Sequence, residues 1–129
     1  MSDQDQDEEQ VEIKWFSVPE DHNYPAAVSY LSLLYETQIA TDYVARLKDA
    51  PMSEFKAKDI FRASSLSLLG VSNVHIEKNQ KKIDKGRELS PLLLVRDVAN
   101  GKVVVADGYH RLCAVYSHNE DAVIPCKIV

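Results

Sequence analysis

Residues 107–111 read Asp-Gly-Tyr-His-Arg: an acid, a glycine, an aromatic and two nitrogen-rich side chains in five consecutive positions. They directly follow Val103, Val104, Val105 and Ala106 and precede a stretch whose residues Tyr109, Leu112, Cys113 and Tyr116 share one apolar helical face. That pattern predicts a strand-to-helix corner. The first turn of a helix carries unpaired N–H groups and partial positive charge, so it favours an anion. Gly108 lets a ligand approach the backbone closely. Arg111 can grip phosphate oxygens with a bidentate fork, and His110 adds a further donor. Asp107 has several roles open to it: helix cap, ligand to the magnesium of a bound nucleotide, partner of a ribose hydroxyl, or base. Gly108, Tyr109, His110 and Arg111 together describe a phosphate cradle. The plain alternative is a capped turn with Arg111 on the surface and His110 satisfied by a carbonyl, and spacing alone does not separate the two.

A second pattern favours the cradle. His75, Lys78, Lys82 and Lys85 recur at i, i+3, i+7 and i+10, within roughly an 80° arc of a helix, with Ile76 and Ile83 opposite. Like charges along one stripe repel mildly, and a purely solvated face would mix signs, as Glu77 and Lys81 do. Lys78 and Lys82, with His75, are therefore read as anion-binding, and Lys85 as a solvent-facing lysine.

The elements that must hold these residues follow from the rest of the chain. Its 129 residues, 45% of them hydrophobic, predict one domain with its own core over residues 11–129. Asp3, Asp5, Asp7, Glu8 and Glu9 make residues 1–10 a disordered acidic tail. That tail accounts for the net charge of −5, because residues 11–129 contain 15 basic and 15 acidic side chains. The totals therefore indicate no strongly basic nucleic-acid surface.

A first strand is expected at 11–18. Pro25 then opens a helix with Ala27, Tyr30, Leu31 and Leu34 as its buried stripe. Thr37 caps a second helix burying Ala40, Tyr43, Val44 and Leu47, and Pro51 ends it. A short helix at 57–63 precedes the lysine-bearing helix over 74–85, capped by Ser72 or Asn73 and stopped by Gly86. "PLLLVRD" and "KVVVA" read as a hairpin turning at Asn100-Gly101. A helix at 109–118 leads to a last strand, "VIPCKIV", where Pro125 predicts an edge or a bulge.

No apolar run is long enough to cross a bilayer, and the acidic start is no secretory signal. A reducing cytoplasm is the expected setting, with Cys113 and Cys126 unbridged. His110, Cys113, His118 and Cys126 lack paired metal-ligand spacing, so zinc is not indicated.

The ordered set from "SPLLLVRD" through "NGKVVVADGYHRLCAVY" to "AVIPCKIV" resembles the ParB/sulfiredoxin superfamily, in Gly108-Tyr109-His110-Arg111 opening a helix and Ile124-Pro125 opening a strand. The resemblance covers residues 74–129 well and the first half in outline. It implies a compact α+β domain, a small mixed sheet flanked by helices, binding nucleotide phosphates at the Gly-x-His-Arg helix with help from the preceding one. Members include sulfiredoxins, CTP-binding partition proteins and kinases of free serine, the last with a motif close to residues 107–111. Sulfiredoxin's reactive cysteine position holds Tyr109 here, and no DNA-binding module follows Val129, so neither of those activities is expected.

Three functions follow as expectations. The first is a small enzyme using ATP or ADP (CTP being a further candidate) with Mg2+ for phosphoryl transfer or nucleotide hydrolysis. Arg111, His110, Lys78 and Lys82 would neutralise charge, Asp107 would hold metal or acceptor, and Glu20 or Asp21 would supply a base. The second is a nucleotide-sensing module without turnover. The third, less favoured, is a DNA-associated accessory protein or nuclease using Lys56, Lys58 and Arg62 with the lysine stripe.

Overall fold

A computed structural model describes residues 12–67 and 73–129. The acidic stretch 1–10 and the alternative cap Ser72 lie outside the described residues. In chain order the elements are β1 (Lys14–Trp15), α1 (Asn23–Leu31), α2 (Thr37–Asp49), β2 (Ser53–Lys56), α3 (Ala57–Ser64), α4 (Val74–Asp84), β3 (Glu88–Leu89), β4 (Leu92–Asp97), β5 (Lys102–Asp107), α5 (Tyr109–His118) and β6 (Val123–Ile128). This is an α+β domain, as the mixture of strand and helix patterns predicts.

The main sheet has the order β2-β6-β4-β5, with β4 and β6 parallel and the outer pairs antiparallel. Alternate residues of the central strand β4 face opposite ways. Leu93 and Val95 pack with Tyr24, Ala27 and Leu31 of α1 and with Ala40, Val44 and Leu47 of α2. Leu92 and Leu94 pack with Ile60 of α3, Ile76 and Ile83 of α4, and Leu112 and Val115 of α5. Helices therefore cover both faces, which is why residues 92–95 read as an unbroken apolar run rather than an alternation. Among the described residues, no helix is long and apolar enough to cross a membrane.

Several expectations are corrected. The buried stripe of α1 is Tyr24, Ala27 and Leu31, while Tyr30 and Leu34 are 41% and 50% exposed. The helix begins at Asn23, ahead of Pro25, and ends at Leu31, so Leu34 falls in the following turn. Thr37 is the first residue of α2 rather than its cap; the cap position is Glu36 and no side chain caps it. The first strand shrinks to two residues because its partner β3 is itself only two residues long. Pro125 is not on an edge: β6 lies between β2 and β4. The proline is tolerated because pairing with β4 begins one residue later, at Cys126 opposite Leu92.

At the far side of the hairpin the ladder slips between Leu93 and Leu94, so that β5 spends an extra residue, Ala106, between Val105 and Asp107. Bulges re-aim the residues beside them. This one lies immediately before the corner.

Candidate functional site

Gly108 joins β5 to α5 at φ +110°, in the left-handed region that favours glycine. Space enforces the same choice: a Cβ there would lie 2.8 Å from Arg111 Nη2 and 2.8 Å from Leu92 Cγ. Gly108 occupies the N-cap position and no side chain caps α5. Among the described residues, no side-chain cap hydrogen bond closes the first turn of this helix. Asp107 is not the cap.

Instead, Asp107 and Arg111 hold each other. Arg111 Nη2 lies 3.0 Å from Asp107 Oδ2, with side chains only 16% and 18% exposed. The same nitrogen donates to the Pro91 carbonyl at 3.4 Å. Nε is buried and has no hydrogen-bond partner. The place in the first helical turn that predicts a phosphate-gripping guanidinium also sets Arg111 four residues from Asp107, a spacing that suits an ion pair. Arg111 acts here as a strut tying α5 to the end of β5 and to the segment before β4.

Tyr109 and His110 lie on the wall. The Tyr109 hydroxyl donates to the Ser67 carbonyl, fastening the segment after α3 over the corner. Burial first, then the hydrogen bond and charge of Cys113, push the phenol up to about 12, so it stays a donor. The His110 ring lies 4.9 Å from that of His75, tilted by 44°. Its pKa is lowered, chiefly by burial and further by His75 and Arg111, which keeps the imidazole neutral at pH 7 with one donor and one acceptor nitrogen.

The corner opens on a cleft of about 330 Å³ lined by Val105, Ala106, Asp107, Gly108, Tyr109 and His110 on one side. Ala26 and Tyr30 of α1 and Leu66 face them. That volume lies at the lower end for small-molecule sites. The walls differ in chemistry: helix amides and polar side chains at one end, an exposed tyrosine ring and a leucine at the other.

Of the other candidates, His75 is brought to the site through His110. Lys78, Lys82 and Lys85 do not line this cleft. His75 marks the corner end of α4, so Lys82, seven residues on, is about 10 Å further along the helix axis. Glu20 and Asp21 line a different, wide-open cleft with His22 and Glu88. The backbone N–H of Glu20 donates to Ser90 Oγ at 2.9 Å and to Asn23 Oδ1 at 3.2 Å, so this loop is anchored next to the Pro91 that holds Arg111. Lys58 is paired with Asp121 at 2.7 Å and Arg62 with Asp59 at 3.7 Å, which leaves less free positive charge around α3 than the sequence suggested. Cys113 and Cys126 are buried free thiols.

Asp107 keeps one oxygen on Arg111, and among the described residues no second carboxylate lines the cleft. Among the described residues, no group of three or more His, Cys, Asp or Glu could hold a metal. The donors present fit an anion.

Sequence reasoning missed Tyr30, Leu66 and Ala26, which lie far from the motif in the chain, and the buried polar pair Asn23–Ser90, separated by 67 residues. Comparison with protein-family models, curated proteins and solved structures finds no match to this chain. The geometry of the corner alone therefore speaks for its chemistry.

Proposed function

We propose that this chain is a nucleotide- or phosphate-binding domain of ParB/sulfiredoxin-like type. The anion sits at the uncapped N-terminus of α5, and the apolar part of the ligand lies between Tyr30 and Leu66. The observation that carries this reading is the helix end left without a side-chain cap behind Gly108, opening into a cleft with an exposed aromatic wall. Exposed amides and a positive helix end recognise phosphate without a dedicated cation, so the strut role of Arg111 is compatible with it. Magnesium, where used, arrives on the nucleotide's phosphates.

A second reading, a small ATP- or ADP-dependent phosphoryl-transfer enzyme or nucleotidase, draws support from His110, held neutral on the cleft wall and able to take a proton from an acceptor hydroxyl. In that reading Asp107 acts through Arg111. A thermal-shift screen with ATP, ADP, CTP, GTP and inorganic phosphate, with and without magnesium, tests binding, because a ligand at 100 times its Kd stabilises by about 2.7 kcal/mol. An unmoved melting temperature with every nucleotide would remove the proposal. Phosphate release on the same samples separates turnover from sensing.

A further inference from the structure

The basic side chains of this molecule are unevenly partnered. Lys58, Arg62 and Arg111 each have a carboxylate within 4.0 Å, whereas no lysine on α4 is in an ion pair among the described residues. Yet five of the chain's 15 basic residues (Lys78, Lys81, Lys82, Lys85 and Arg87) fall within residues 78–87, beside one acid, Asp84. The helix dipole accounts for lysines in the last turn. It does not account for Lys78 in the middle of the helix, exposed on the same stripe.

The matching charge lies at the other end of the sequence. Residues 3–9 hold Asp3, Asp5, Asp7, Glu8 and Glu9 with no basic residue among them. The fold fixes where that stretch is rooted. β1 pairs in parallel with β3, Lys14 opposite Glu88. Because β3 follows α4 directly, the chain enters β1 from the C-terminal end of that helix. Lys14 confirms the proximity: its Nζ lies 3.8 Å from where a Cβ on Gly86 would stand.

We infer that the acidic segment Asp3–Glu9 docks on the lysine face of α4. The reach is sufficient. Residues 3–11 extended span up to about 30 Å, and the 11 residues of α4 rise about 16 Å, so the acids pass from Lys85 back towards Lys78. A short tether gives the segment an effective concentration in the millimolar range, which makes weak surface pairs add up. The contact is electrostatic and solvent-exposed, so salt screens it. It occupies the surface that an outside polyanion would use, and it does not depend on what binds at the α5 corner.

Zero-length carbodiimide coupling of the whole chain, followed by peptide mapping, tests this without any nucleotide. At low salt, isopeptide bonds from Asp7, Glu8 and Glu9 concentrate on Lys82 and Lys85, several-fold above those to the exposed Lys48, Lys56 and Lys102. They fall several-fold in 1 M salt, and α4 couplings drop likewise in the variant carrying Asp3→Asn, Asp5→Asn, Asp7→Asn, Glu8→Gln and Glu9→Gln. Coupling spread evenly over all exposed lysines, or indifferent to salt, overturns the inference. A melting temperature of the variant equal to that of the wild type shows that the substitutions leave the fold intact.

Discussion

Two helix N-termini lie side by side in this molecule, their histidines 4.9 Å apart ring to ring, and they are finished differently. At the start of α4 the Asn73 side chain accepts from the backbone of His75 at 2.9 Å and of Ile76 at 3.3 Å. At the start of α5 stands Gly108, with no side chain to cap anything, at a backbone angle and in a space that admit only glycine. Both helices bury an apolar face in the same core; the difference arises at the corner, where the left-handed turn and the side chains of Leu92 and Arg111 leave room for glycine alone. A closed end serves stability alone. An open end beside a cleft gives up the stabilisation of a cap, about 1 kcal/mol, and keeps its donors available to a ligand.

The contrast between the two ends is most sensitive at Gly108. Gly108→Ala places a methyl group 2.8 Å from Arg111 Nη2 and Leu92 Cγ at a left-handed φ. It should cost about 2–4 kcal/mol in urea unfolding, from backbone strain and overpacking together. A cost below about 0.5 kcal/mol, the scatter of ordinary surface substitutions, would show that the corner is loosely built.

Arg111→Ala comes next. It strands the part-buried Asp107 carboxylate and should cost about 2 kcal/mol. Adding Asp107→Ala should recover part of that loss, and strict additivity in the double-mutant cycle would contradict the strut. Asn73→Ala, removing the cap of the closed end, should cost about 1 kcal/mol and leave ligand affinity unchanged. A change in affinity would mean the two ends do not work separately.

The smallest effect is pH-dependent. The folded-state pKa of His110 is depressed, so the folded protein binds that proton less readily than the unfolded chain. Its contribution to stability is present above the unfolded value of about 6.5 and is lost as pH falls through it towards the folded one. An anion at the corner favours the imidazolium and should bind more tightly as pH falls. His110→Gln should flatten both dependences; equal slopes in denaturation and calorimetry for variant and wild type would remove His110 from the site.

Much of the corner was legible because it is local. The strand, the Asp-Gly turn, the apolar face of α5 and the Asn73 cap each need only neighbours in sequence. The i, i+4 pairing of Asp107 with Arg111 was equally local, but a free fork and a closed pair share one spacing. β2 was not legible: Ser53–Lys56 is an edge strand with three of four residues exposed, so it carries no apolar alternation. Without β2, Pro125 in the last strand reads as marking an edge or a bulge, whereas β6 is flanked on both sides. Tyr30 illustrates the opposite case. Its helical spacing predicts a place in the core, whereas α1 buries the face of Tyr24, Ala27 and Leu31 and leaves Tyr30 on the cleft wall. Ser90 and Asn23 meet only because the chain folds, and no periodicity announces them.

Anion binding at the α5 corner is read residue by residue from backbone amide chemical shifts during titration with ADP. Such binding gives saturable movement concentrated at Tyr109, His110 and Arg111, with the capped amides of His75 and Ile76 nearly still. Movement confined to the lysines of α4, or none at residues 109–111 at saturating nucleotide, would contradict it.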